Sequence, residues 1–153
     1  MTRTILMILL MGAPLTHTAW AKSPADQASR RDQKEQADLG DRAEIYWRSV
    51  RWADPQSASV FIENPDDRVL FQQWLKDQGR DQKLTEAKVL NLKISKEIDK
   101  PDDGRTRKAT VTVSVEGYKL PAQVLKQQTV TQRWYRTEAG WFVDWSPPPP
   151  PKP

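Results

Sequence analysis

Ala109-Thr110-Val111-Thr112-Val113-Ser114-Val115 decides the fold. Apolar and polar residues alternate strictly, and a β-strand turns successive side chains to opposite faces, so the stretch predicts a strand with one apolar and one polar face. The same period runs on both sides of it. Leu90, Leu92 and Ile94 alternate with Asn91 and Lys93, and Val130, Gln132 and Trp134 alternate with Thr129, Thr131, Arg133 and Tyr135. Trp141, Val143 and Trp145 alternate with Phe142 and Asp144. Lys100-Pro101-Asp102-Asp103-Gly104 and Glu138-Ala139-Gly140 have turn composition. Together they predict about four antiparallel strands, one face of the sheet apolar.

Upstream of Lys83 the spacing is helical. Leu39, Ala43, Tyr46, Trp47 and Val50 recur at three and four residues and predict a helix over 38–52. Asp54-Pro55 restarts the chain as cap and first-turn proline of a short helix carrying Ala58, Phe61 and Ile62. Asn64-Pro65-Asp66-Asp67 does the same for a third helix, with Val69, Leu70, Trp74 and Leu75 as its expected buried stripe and Gly79 as its stop. Helices first and strands last argue an α+β domain over 38–146, its helices packed on one face of a curved, cone-like sheet. Residues 22–37 are polar and read as a linker or frayed helix, and Pro147 to Pro153 as a polyproline tail. Both flanks are expected to be dispensable for folding.

Residues 1–21 read as a secretory leader. Arg3 precedes the apolar run Ile5 to Leu15, too short to span a bilayer, and Ala19-Trp20-Ala21 offers a small-residue cleavage site. Cleavage after Ala21 predicts a periplasmic or secreted product beginning at Lys22, with no stable membrane anchor. The leader holds His17, the only histidine, and the chain has no cysteine. The 132 residues that follow, of 153 in all, therefore contain no Ser-His-Asp or Cys-His unit, no thiolate and no zinc site of nitrogen and sulfur ligands. No cofactor and no metal are expected. Taking Arg3 from the 24 basic residues leaves 23 against 20 acidic ones, interleaved as in Arg30-Arg31-Asp32-Gln33-Lys34-Glu35. Nucleic-acid binding needs clustered cations and is not expected.

Tyr46-Trp47-Arg48-Ser49-Val50-Arg51-Trp52-Ala53-Asp54, followed by Phe61-Ile62-Glu63-Asn64-Pro65 and Arg68, resembles the opening of small bacterial nuclear-transport-factor-like (cystatin-like α+β cone) domains. Gln132-Arg133-Trp134-Tyr135-Arg136 with Gly140-Trp141-Phe142-Val143 resembles their final hairpin. The resemblance covers roughly residues 38–145. It implies a cone between sheet and helices, a scaffold that hosts isomerases, dehydratases, binding modules and envelope assembly parts. In its enzymes, carboxylates, tyrosine or histidine point into that cone.

The alternation places Leu90, Leu92, Ile94, Val111, Val113, Val115, Val130, Trp134, Trp141 and Val143 inward, with no acid among them. A slip of one residue would bring in Asn91, Thr112, Arg133 and Asp144 instead. Tyr46, Trp47, Arg68, Trp74 and Trp134 are the ligand-pocket candidates, although tryptophans of this kind also serve as core and Arg68 also suits a pair with Glu63. Tyr118, Arg133, Tyr135 and Phe142 are the partner-surface candidates on the outward face. Asp54 and Asn64 are expected as caps. The leading expectation is an exported noncatalytic binding or assembly module holding an envelope protein partner or a small apolar ligand, with a homodimer admissible. The alternative is a metal-independent isomerase or dehydratase with an Asp or Tyr base. A weaker third is an envelope accessory contacting anionic polymers.

Overall fold

The computed structural model describes residues 24–95 and 104–148. The leader with its cleavage site, most of the turn at 100–104 and the end of the polyproline tail lie outside the described residues. Three helices come first: α1 (Pro24–Arg51), α2 (Pro55–Ser59) and α3 (Pro65–Asp81). Four strands follow: β1 (Gln82–Ile94), β2 (Arg107–Lys119), β3 (Lys126–Thr137) and β4 (Gly140–Val143). They pair in sequence order, each antiparallel to the next, as a curled half-barrel with the helices against its concave face. The fold is α+β.

Local chemistry explains the helix starts. The Asp54 carboxylate accepts from the Ser57 amide at 3.1 Å and the Asn64 side chain from the Asp66 amide at 2.8 Å, each followed by the expected proline. Ala53 leaves α1 with a positive φ of 51°, and the Asp54 amide returns to the Ser49 carbonyl at 2.9 Å, which turns the chain into α2.

The core fills the space between α1, α3 and the sheet. Leu39, Ala43, Tyr46 and Val50 of α1 meet Val111, Val113 and Val115 of β2 and Trp134, Trp141 and Val143 of the last hairpin. Tyr46 is the hub: its ring stands edge-on to Trp47, Phe61 and Trp134 at centroid distances of 5.6, 6.0 and 5.8 Å. Such edge-to-face pairs add to area burial.

Four expectations change. First, α1 does not begin near 38 but at Pro24, so most of the segment read as linker or frayed helix is its first half. Glu35 fixes it there: 5% exposed, it accepts from Arg107 of β2, and from Arg136 of β3 and Arg31 at 3.1 Å each. Second, Leu90 is 54% exposed rather than inward, because it is the extra residue of a bulge between the pairs Val89↔Val113 and Asn91↔Thr112. Val89 takes the inward place, while Leu92 and Ile94 keep theirs. Third, α3 buries Phe71 and Leu75 and leaves Val69 and Leu70 exposed. Phe71 claims that face by packing on Trp145 and Trp74 at 5.4 and 5.7 Å. Fourth, α3 runs past Gly79 to Asp81.

Candidate functional site

An apolar cleft opens where the C-terminal ends of α1 and α3 part from the sheet. Its inner part, a cavity of about 300 Å³, has Tyr46, Trp47 and Val50 on one wall, Trp74 and Leu75 on another, and Val115 and Val130 as floor. An outer part of about 470 Å³ continues it along the ends of β2 and β3, past Gly117, Tyr118, Ala122 and Val124. Gln82, Leu84, Val115 and Gln128 line both parts, so the two form one trough. The volumes fall in the range of small-molecule sites.

The sequence builds this trough by simple means. Strand pairing sets Val115 opposite Gln128 and Val113 opposite Val130, so the inner row of β3 reads Lys126, Gln128, Val130, Gln132, Trp134. The inner row of β2 ends in Gly117 and Lys119. Gly117 is required where β1 comes closest, since a Cβ there would collide with the Lys83 carbonyl and crowd Leu84. At the rear, Ala53 and Gly79 approach closely: a Cβ on Gly79 would lie 3.2 Å from that of Ala53.

The polar side chains of the trough are amides, phenols and cations, and behind its wall a hydrogen-bonded pair holds Tyr46. The Trp134 indole donates to Gln132 Oε1 at 3.1 Å, and the Gln132 amide also meets the Tyr46 hydroxyl. Burial pushes the Tyr46 phenol well above its ordinary value, only partly offset by that amide, so it is a neutral phenol at physiological pH. The Trp47 indole N–H is buried without an acceptor. No aspartate or glutamate lines either part, whereas Arg51, Lys83, Lys119 and Lys126 do. Lys83 Nζ donates to the Gly79 carbonyl at 2.6 Å.

Of the five pocket candidates, the structure gathers Tyr46, Trp47 and Trp74 around the inner cleft. Trp134 is fully buried against Tyr46 and Phe61 and acts as core. Arg68 does not enter the cleft, nor does it hydrogen-bond Glu63: its Nε donates to the Ile62 carbonyl. Glu63 instead meets the Tyr135 hydroxyl, and burial together with that carboxylate pushes the Tyr135 phenol up to about 12.

The partner-surface set is also reduced. Tyr135 and Phe142 are only 6% and 8% exposed, packed on each other at 6.2 Å with the Arg105 guanidinium 3.9 Å above the Tyr135 ring. They face outward yet are covered. Arg133 stays exposed and pairs with Asp144 at 3.4 Å, and Tyr118 is half-buried on the rim of the outer cleft. Sequence reasoning missed Leu84, Gly117, Lys119, Lys126 and Gln128. Their signal was present: the alternation of β2 and β3 continues through Gly117, Lys119, Lys126 and Gln128 beyond the apolar residues, and Leu84 is an apolar residue of β1.

Among the described residues no helix is long and apolar enough to cross a membrane, and no cluster of three acids or histidines suits a metal. No family model and no curated protein matches the chain. Two solved structures are similar to it. A SEC-C motif containing protein from Rhodopseudomonas palustris is 12% identical, with 63% of this chain and 67% of that one covered at a TM-score of 0.46. The intermembrane space region of the chloroplast protein ARC6 is 15% identical, with 80% of this chain and 94% of that one covered, also at 0.46.

Proposed function

We propose that this chain is an exported noncatalytic binding module, and that its trough holds a small apolar ligand. One observation carries the reading: a cleft walled by Trp47, Trp74, Leu84, Val115 and Val130 has amides and cations but no carboxylate in its lining. General base chemistry needs a proton acceptor within reach of the substrate, and the cleft's buried phenol, Tyr46, is held neutral. The apolar walls supply affinity and the amides and cations of the rim supply orientation. The cleft lies between sheet and helices, the region that the resemblance to nuclear-transport-factor-like domains implies for ligands. A docking face centred on Tyr135 and Phe142 loses support, because both rings are covered.

The test uses the neutral apolar probe N-phenyl-1-naphthylamine. Its fluorescence is expected to rise on binding and to quench the tryptophans of the cleft, with saturation at one probe per chain. Trp74→Ala, which removes a half-buried wall, is expected to weaken binding at least tenfold, while Val69→Ala on the exposed face of α3 leaves it unchanged. Absence of saturable binding, or equal binding by both variants, overturns the reading.

A further inference from the structure

We propose that the ligand is a free single-chain amphiphile with an acidic head, its hydrocarbon tail in the inner cleft and its head between Lys119 and Lys126; this rests on the binding reading above. The observation is an asymmetry between the two ends of the concave face. The inner row of β2 runs Arg107, Ala109, Val111, Val113, Val115, Gly117, Lys119, and Arg107 and Lys126 stand opposite Arg136 and Gly117 across the β2–β3 ladder. Cations therefore mark both ends, with apolar residues between.

Their surroundings differ. At the closed end, Arg107 is answered by Glu35 and by Asp32 at 2.8 Å, and Arg136 by Glu35. At the open end the acid that α3 brings nearest, Asp81, meets the chain through its carbonyl, which accepts from the Leu120 amide at 2.8 Å, and among the described residues Lys119 and Lys126 have no ion pair. Both are solvent-exposed on the rim of the outer cleft. On β2 the row reaches Lys119 through Gly117, which has no side chain, and on β3 Gln128 alone separates Val130 from Lys126. The two cations that line the inner cleft are engaged elsewhere, Lys83 with the Gly79 carbonyl and Arg51 over the Trp52 ring, so a ligand complementary to this arrangement is apolar along its length and negative at one end. The apolar residues lie in a concave trough between helices and sheet rather than on an exposed face, which favours a free chain laid into it over a bilayer surface, which presents headgroups first.

The experiment titrates the protein, preloaded with N-phenyl-1-naphthylamine, with dodecanoate and with dodecanol below their aggregation concentrations. Dodecanoate is expected to displace the probe at least tenfold more effectively, with the gap narrowing as salt is raised. Lys119→Glu with Lys126→Glu is expected to abolish the preference and to favour dodecylamine. Lys119→Ala with Lys126→Ala is expected to bring acid and alcohol together, and unchanged thermal melts establish that each variant is folded. Equal displacement by acid and alcohol in the unaltered protein overturns the acidic head while leaving apolar binding in place. So does a preference for dodecanoate that survives both double variants. Cosedimentation with phosphatidylglycerol vesicles without displacement by dodecanoate overturns it in favour of a membrane surface. Failure of the probe itself to bind overturns the underlying reading instead.

Discussion

Replacing Glu35 by Gln removes one charge from a nearly isosteric side chain at the point where α1 is pinned to the sheet. Glu35 is 5% exposed and accepts from Arg107, Arg136 and Arg31. Taking one partner from a buried ion pair destabilises by about 3–5 kcal/mol, because the remaining charge stays desolvated. Two features place this case at the low end. Asp32 still holds Arg107 at 2.8 Å, and the Arg136 side chain is 31% exposed, so water reaches part of its charge. We expect a loss of about 3 kcal/mol, which is on the order of a hundredfold in the unfolding equilibrium and roughly 10 °C in Tm. Burial alone would raise the Glu35 carboxyl, but the hydrogen bonds from Arg107 and Arg31 and the fields of Arg136 and Arg107 outweigh it and hold it below its ordinary value. A carboxyl depressed by folding contributes stability that is fully present above its unfolded value, near ~4.3, and is lost as pH falls through the lower folded value. The gap between the unaltered protein and Glu35→Gln should therefore be full at pH 7, begin to shrink as pH falls past the unfolded value, and close only below the lower folded one. Urea melts followed by tryptophan fluorescence measure both. A gap under about 0.5 kcal/mol at pH 7, or one that does not shrink in acid, would refute the clasp. Deletion of residues 24–37 should impose at least the same loss, contrary to the sequence expectation that this flank is dispensable.

Trp134→Ala should remove about 3–5 kcal/mol in thermal or urea melts, the range for a fully buried aromatic, and a near-neutral result would place the ring at the surface. Gly117→Val should destabilise by about 1–3 kcal/mol, because its Cβ meets the Lys83 carbonyl, and an unchanged melt would show that β1 stands further off. Leu90→Asp should change stability by less than about 0.5 kcal/mol, whereas Val89→Asp should lose more than about 2 kcal/mol. The reverse order would mean that the bulge is misplaced.

The parts of the fold legible in the sequence are those written in neighbouring residues. Asp54-Pro55 and Asn64-Pro65 announce their helices because cap and first turn are adjacent in the chain. The alternation of β2 fixes which face of the sheet is buried, since every second residue from Ala109 to Val115 is apolar. What was missed depends on distant partners. Glu35 looks like one more solvated acid until Arg107 and Arg136, 72 and 101 residues away, come to it. Phe71 outcompetes Val69 and Leu70 for the core only because Trp145 is there to receive it. Leu90 continues the alternation of Leu92 and Ile94, and the bulge shows in the sequence only as the adjacent pair Val89-Leu90, where the phase set by Ala87 and Val89 changes. The inner cleft was legible through Tyr46, Trp47 and Trp74, whereas its lysine mouth was not, because Lys119 and Lys126 stand at strand ends whose inner row carries no apolar residue to mark them as strand.

The bulge at Leu90 also bears on how copies of this protein meet. β1 is an edge strand of 13 residues, long enough to template pairing with another chain. Bulges at Thr85 and at Leu90 interrupt the regular spacing of its ladder, and Lys83, Lys88 and Lys93 are spread along it. The opposite edge, β4, has only four residues. β4 covers β3 only from Trp134 to Thr137, so the regular run of free amides and carbonyls that sheet continuation needs is left on β3 from Lys126 to Gln132 and not on the bulged β1.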